Sequence, residues 1–191
     1  MDQMAKMSAF PKKISAHSGF SLAEVMTVIA IIGIVSAIAV PGFLAWLPNY
    51  YLKSAARDLR ASFQLARMTA IKTGTNCTIT FNQSVDGDTY DYVVFQDGDN
   101  DLVLDNGEIP DIVKKVKWTD YHSSISLNSN NFTNNSGGLP AVAFRSNGIP
   151  VANNNSFFAP DGTVSIKNTD NSEAGITMSS AGNVKVQFTL N

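Results

Sequence analysis

Two short stretches hold residues whose types and spacing suit chemistry. The first is DGDNDLVLDNGE, residues 97–108. Acids stand at loop positions 1, 3, 5, 9 and 12, which are Asp97, Asp99, Asp101, Asp105 and Glu108. That spacing lets alternate carboxylates converge on Ca²⁺, with the backbone carbonyl of Val103 contributing. Position 6 calls for glycine, because the chain turns sharply there, and Leu102 occupies it instead. Clustered acids repel one another unless a cation intervenes. The competing reading is a polar turn with its acids in solvent. A site outside the cell need only be weak, with a Kd of roughly 10⁻⁴–10⁻³ M. Calcium is an optional ligand on this reading, and no cofactor is required.

The second stretch is GFSLAEV, residues 19–25, at the head of a long apolar run. Glu24 is the only acid between Asp2 and Asp58. From Val25 to Leu52 there is no charged residue. The strongly apolar part, Val25 to Leu47, is long enough to span a ~30 Å bilayer at ~1.5 Å per residue. An ionised group at the edge of such a segment is costly, by about 2.5–3.5 kcal/mol at a helix centre on insertion scales. One local account is a capping box, with Ser21 capping and Glu24 reaching back to a free N–H. Ahead of the run lie Lys6, Lys12 and Lys13 against Asp2 alone. Basic flanks stay cytoplasmic, so the rest of the chain is expected to be exported. Two processing routes compete. Cleavage after the small-x-small triplet Ala37-Ile38-Ala39 would make residues 1–39 an ordinary signal. Otherwise the apolar segment is retained as an anchor and only the basic leader is lost.

GFSLAEV resembles the processing site of type IV prepilins and of the related pseudopilins of type II secretion. The resemblance implies a membrane peptidase that cuts after Gly19 and methylates the new N-terminus, Phe20. Glu24 then matches the glutamate that becomes the fifth residue of the mature chain. Cutting there creates an α-amine four residues from Glu24. Within one helix, or between filament neighbours, that amine would neutralise the carboxylate and turn a liability into a register mark.

Other chemistry is poorly supported. A single cysteine, Cys77, excludes an internal disulfide and a four-cysteine metal site. It reads as a small buried hydrophobe at the start of a strand. Asp120 and His122 lie close to Ser123 and Ser124, but no nucleophile elbow accompanies them. Lys114, Lys115 and Lys117 read as solvent-facing strand ends, and Trp118, Phe157 and Phe158 as core or subunit contacts. The net charge is −2. Residues 1–19 hold three lysines against one acid, so the remainder stands at −4. An acidic body disfavours nucleic acid as a partner.

The elements that must carry these residues follow from periodicity. In YLKSAARDLRASFQLARMTAIKTG, Leu52, Ala56, Leu59, Phe63, Ala66 and Ala70 recur three and four apart. They form one apolar stripe, with Lys53, Arg57, Arg60, Arg67 and Lys72 off it. Phe20 to about Thr73 therefore reads as one helix of ~80 Å, with Pro41 and Pro48 as points for a kink and Gly74 as its cap. From Asn76 the period becomes two. CTITFN, TYDYVVFQ, IVKKVKW, SSISL, AVAFR, TVSIKN, GITMSS and NVKVQFTL read as short antiparallel strands, with turns at Asp86-Gly87 and Asp161-Gly162. LNSNNFTNNSGGLP, residues 127–140, reads as a mobile loop with little to bury.

The expected fold class is thus α+β, a long transmembrane and amphipathic helix packed on an antiparallel β-domain. Its parts are a leader at 1–19, a membrane or filament-core helix at 20–47, an amphipathic continuation at 48–75 and a β-domain at 76–191. Several stretches resemble the GspH/FimT-type minor pseudopilins: AARDLRASFQLARMTAIKTGTNCTITFN, AVAFRSNGIP, FFAPDGTVSI and GITMSSAGNVKV. The resemblance implies a minor subunit of a pseudopilus or type IV pilus that primes assembly or sits near the tip. Its implied partners are the prepilin peptidase, other pilins or pseudopilins, the inner-membrane assembly platform and the membrane itself. The implied location is the bacterial inner membrane, crossed once with the body in the periplasm, and then the filament. Alternatives are a tip-binding module, such as an adhesin or DNA receptor, and a tethered enzyme. The final stretch AGNVKVQFTLN holds one basic residue, Lys185, which argues against DNA uptake.

Overall fold

The computed structural model describes residues 19–152 and 162–191. The leader, Phe157, Phe158 and Asp161 lie outside the described residues, apart from Gly19. The chain divides into two units, Met1–Gly42 and Phe43–Asn191. Helix α1 runs over Leu22–Thr73 and belongs to both.

In the first unit every helical residue is exposed, including Val25, Ile29, Ile32 and Ile38. Water does not favour such a surface, so this stretch requires lipid or protein around it. The helix is long and apolar enough to cross a membrane. The helix continues through Pro41 and Pro48.

The second unit packs the rest of α1 on a β-domain. All six stripe residues named from periodicity are fully buried, joined by Ala55 and Ser62. The helix ends at Gly74, whose φ of +76° suits a glycine and whose N–H reaches the Ala70 carbonyl at 3.0 Å. Among the described residues there are nine strands: β1 Asn76–Val85, β2 Asp88–Asp97, β3 Ile112–Val116, β4 Ser126–Asn130, β5 Ala141–Phe144, β6 Pro150–Val151, β7 Gly162–Lys167, β8 Glu173–Met178 and β9 Val184–Thr189. They form two antiparallel sheets, ordered β3-β2-β1-β5-β6 and β4-β7-β8-β9. Asp86 and Gly87 join β1 to β2 with φ of +53° and +86°, the twist a tight hairpin needs.

Alternation along β1 and β2 builds two layers of core. Cys77, Ile79, Phe81, Tyr92 and Val94 share the main cluster with the helix stripe, Val164, Ile166 and Ile176. The other side of the first sheet is covered too. There Val85, Val93 and Phe95 form a cluster with Leu104 and Ile112 packed on it, and Leu102 packs with Ala141, Ala143 and Val151. The acidic loop is therefore fastened to the sheet through Leu102 and Leu104.

Residues 127–140 differ from the mobile loop expected of them. Their start belongs to β4, paired with β7. Phe132 is buried, 5.7 Å from the Phe81 ring and nearly parallel to it, and 5.8 Å from Phe63. One aromatic in a run of Asn and Ser leaves no periodic signal, yet its burial fixes the segment. Strand β4 also lies three residues later than SSISL suggested, because Ile125 turns into the core before pairing begins.

Candidate functional site

At the N-terminal site, Gly19 and Phe20 are exposed ahead of the helix, so the bond between them is accessible. Ser21 and Glu24 form a reciprocal capping box. The Ser21 N–H donates to Glu24 Oε2 at 2.9 Å, and the Glu24 N–H donates to Ser21 Oγ at 3.2 Å. In the uncut chain the Phe20 nitrogen is an amide, so the carboxylate takes the cap. Cleavage would release an amine beside it.

The acidic loop converges. Ligand atoms of Asp97, Asp99 and Glu108 lie within 4.8 Å of one another, as do those of Asp99, Asp101 and Asp105. Asp97 is fully buried and organises the turn. Its Oδ2 accepts from Thr78 Oγ1 at 2.8 Å and from the Leu102 N–H at 3.0 Å, while Oδ1 accepts from the Asn100 N–H at 2.7 Å. Glu108 closes the loop by accepting from the N–H groups of Gly98 at 2.7 Å and Asp105 at 3.3 Å. The Val103 N–H donates to Asp101 Oδ1 at 2.7 Å. Burial pushes the Asp97 carboxyl above its ordinary value, helped by nearby Asp101 and only partly offset by its hydrogen bonds. Burial raises Glu108 as well, with Asp97 and Asp99 adding to it. A cation would reverse both effects.

Leu102 carries the positive φ, +65°, that glycine would supply at loop position 6. Such a conformation costs a non-glycine residue of order 1–3 kcal/mol. The side chain is fully buried, and Asn135 Nδ2 donates to its carbonyl at 2.7 Å. Burying a leucine returns about 1.5–3 kcal/mol, which offsets the strain. The loop thus turns where a calcium loop turns, with hydrophobic anchorage in place of glycine.

A third cluster was not visible in the sequence. Asp58 Oδ2 accepts from Tyr92 Oη at 2.8 Å, Tyr121 Oη at 2.5 Å and Lys114 Nζ at 2.5 Å. Ser62 Oγ adds bonds to Tyr92 Oη at 3.1 Å and from Lys114 at 3.0 Å. Burial pushes Asp58 up, but Lys114, Tyr121 and Tyr92 outweigh it and hold the carboxyl below its ordinary value. These groups clamp the helix to the first sheet and to Tyr121. Lys114 is accordingly an ion-pair partner rather than a solvent-facing strand end. The signal available was a lone acid, Asp58, in a basic helix segment.

The remaining candidates sit apart. His122 Nδ1 lies 2.9 Å from Ser124 Oγ, and the ring stacks on Tyr51 at 4.6 Å. Asp120 instead accepts from the Lys117 N–H at 3.2 Å. Cys77 is buried, and burial, with Asp97 nearby, pushes its thiol up to about 12. Trp118 belongs to the core, while Lys115 and Lys117 lie over the Tyr90 ring.

An apolar helix behind a cleavage-type motif, continuing into a stripe packed on antiparallel sheets, defines a pilin-like subunit. Comparison with known proteins agrees. The prokaryotic N-terminal methylation motif matches residues 14–40, and the model of the type II transport protein GspH matches residues 55–182. The chain belongs to the GspH family. It is a minor pilin or pseudopilin, a structural subunit that assembles with other pilins or pseudopilins and is processed by a prepilin peptidase. Two crystal structures of the type IV minor pilin FimU from Pseudomonas aeruginosa are similar. One is 19% identical at TM-score 0.46, covering 71% of this chain and 92% of the other. The second is 18% identical at TM-score 0.48, covering 73% and 90%. No curated protein matches the chain.

Proposed function

We propose that this protein is a minor subunit that primes filament assembly or sits near the tip of a pseudopilus or type IV pilus. The supporting observation is the pairing on one chain of the methylation motif at 14–40 with the GspH match at 55–182, bridged by the unbroken helix Leu22–Thr73. The chain inserts in the bacterial inner membrane with its N-terminus cytoplasmic and its body periplasmic. The peptidase cuts after Gly19 and methylates Phe20. The assembly platform then extracts the subunit, and Glu24 pairs with a Phe20 amine in the filament. Catalysis has no part in this reading. Mass spectrometry of the purified protein tests it. The expected N-terminus is N-methyl-Phe20, and a terminus at Val40 would refute the anchored-subunit reading.

We also propose that residues 97–108 bind Ca²⁺ weakly through Asp97, Asp99, Asp101, Asp105 and Glu108, with the Val103 carbonyl. The left-handed turn at Leu102 favours this reading. Titration of the protein with Ca²⁺ against EDTA tests it. A melting curve unmoved by millimolar Ca²⁺ would leave an acidic turn.

A further inference from the structure

One face of α1 carries charge that the fold does not use. Among the described residues the ion pairs are Lys114–Asp58 and Lys117–Asp88. Asp58 is therefore committed, while Arg60 and Arg67 remain without an acidic partner among the described residues.

These two arginines line a cleft of about 180 Å³ with Phe63, Gln64, Gly182, Asn183 and Val184. They stand seven residues apart, two helical turns on one face, with Gln64 between them. The far wall is the turn between β8 and β9. Arg67 is bedded between two glycines in the left-handed region. A Cβ on Gly148 would come within 3.0 Å of Arg67 Nε, and one on Gly182 within 3.6 Å of Nη1. Both positions have φ near +80°, at +76° and +79°. The backbone there leaves room for the guanidinium and holds it at the cleft. Arg60 is exposed at the same opening.

We propose that this cleft is a carboxylate-docking site for a Glu- or Asp-bearing segment of a neighbouring pilin-like subunit. The inference rests on the filament-subunit reading. A guanidinium presents a planar fork that matches a carboxylate with two parallel hydrogen bonds. Gln64 and Asn183 supply amides for a peptide backbone, and Phe63 and Val184 give an apolar floor. At about 180 Å³ the cleft has the size of one acidic side chain. A nucleic-acid backbone needs a longer basic track than two arginines on one helix face. Position on the helix supports a subunit as occupant. Arg60 lies thirteen residues beyond Leu47, ~20 Å along the same helix whose apolar half requires neighbours in the filament.

The test uses full-length protein in detergent micelles and a fluorescein-labelled hexaglutamate peptide. Anisotropy should show binding that hexaglutamine does not reproduce. Arg60→Ala with Arg67→Ala should weaken it at least about tenfold, as loss of charge-assisted bonds predicts. Arg60→Glu alone, at an exposed position, should do the same without altering the melting curve. Binding unchanged in these variants would overturn the proposal. Equal competition by inorganic phosphate or by a 20-base-pair DNA duplex would overturn it too, in favour of a phosphate site. A second arm measures co-purification with the filament subunits in cells. If wild type and Arg60→Glu with Arg67→Glu enter filaments equally, this inference fails and the subunit reading stands. If wild type itself never enters, the subunit reading fails.

Discussion

Replacing Asp58 with alanine removes the acceptor shared by Lys114, Tyr92 and Tyr121. Three bonds to a charged group would be worth about 1.5–3 kcal/mol each if all were buried. They are not. The Asp58 and Lys114 side chains are 31% and 28% exposed, so the ion pair approaches the weak, solvent-screened class worth about 0–1 kcal/mol. Tyr121 is partly open to water and regains a partner there. Tyr92 is buried, but keeps Ser62 Oγ at 3.1 Å. The expected loss is therefore about 2–4 kcal/mol, with Asp58→Asn nearer 1–2 because its amide oxygen still accepts. The assay is urea unfolding of residues 43–191 in mild detergent, followed by circular dichroism. pH supplies a second reading. The Asp58 pKa is depressed on folding, below its ordinary 3.8. Its contribution is thus present above pH 3.8 and lost as pH falls through the lower folded value. The gap between wild type and Asp58→Asn should narrow below pH 4. A loss under about 0.5 kcal/mol at pH 7, or a gap that does not narrow in acid, would refute the clamp.

Phe132→Ala should cost about 3–5 kcal/mol in the same unfolding assay, since a buried ring is removed from between Phe63 and Phe81; a near-neutral result would return residues 127–140 to a loose loop. Leu102→Gly relieves ~1–3 kcal/mol of backbone strain but forfeits leucine burial, so it should destabilise by about 1–3 kcal/mol, while Ca²⁺ affinity measured by calorimetry is kept or improved. Ca²⁺ stabilisation should itself fade on acidification. Asp97 and Glu108 titrate above their ordinary values, so protons displace the ion as pH falls through their raised pKa values. Melting temperatures with Ca²⁺ and EDTA, compared at pH 7 and pH 4, check this. Glu24→Ala should still be cleaved yet enter filaments poorly, read by co-purification with the other subunits; equal recovery would leave Glu24 as a helix cap worth about 0.5–2 kcal/mol.

The elements that the sequence disclosed are those whose signal is local. The stripe from Leu52 to Ala70 repeats with the helical period, and all eight predicted strands occur, because β-branched alternation and Gly or Asn punctuation are written along the chain. Splitting into two sheets was not legible. That choice depends on which strand pairs with which, and β4 joins β7 through pairs as far apart in sequence as Ser126 and Lys167. Strand β6 has two residues, too few to show a period. At the acidic loop the spacing was legible, but the role of Leu102 was not. Its burial against Ala141, Ala143 and Val151, which offsets the strain, depends on residues some forty to fifty positions away. The Asp58 clamp brings together residues 58, 62, 92, 114 and 121, which no local pattern links.

Cys77 has a practical consequence. It is the only thiol in the chain, fully buried, and held protonated far above neutral pH. Thiol-directed reagents act on the accessible thiolate, so they should pass it by. Any cysteine placed on the surface would then be the one reactive position in the molecule. A probe at Gln64, at the mouth of the arginine cleft, or at Ser54 on the same helix could be attached without first removing the native residue. Distances and crosslinks measured from such single sites would report which neighbours the subunit meets in a filament, with the core undisturbed.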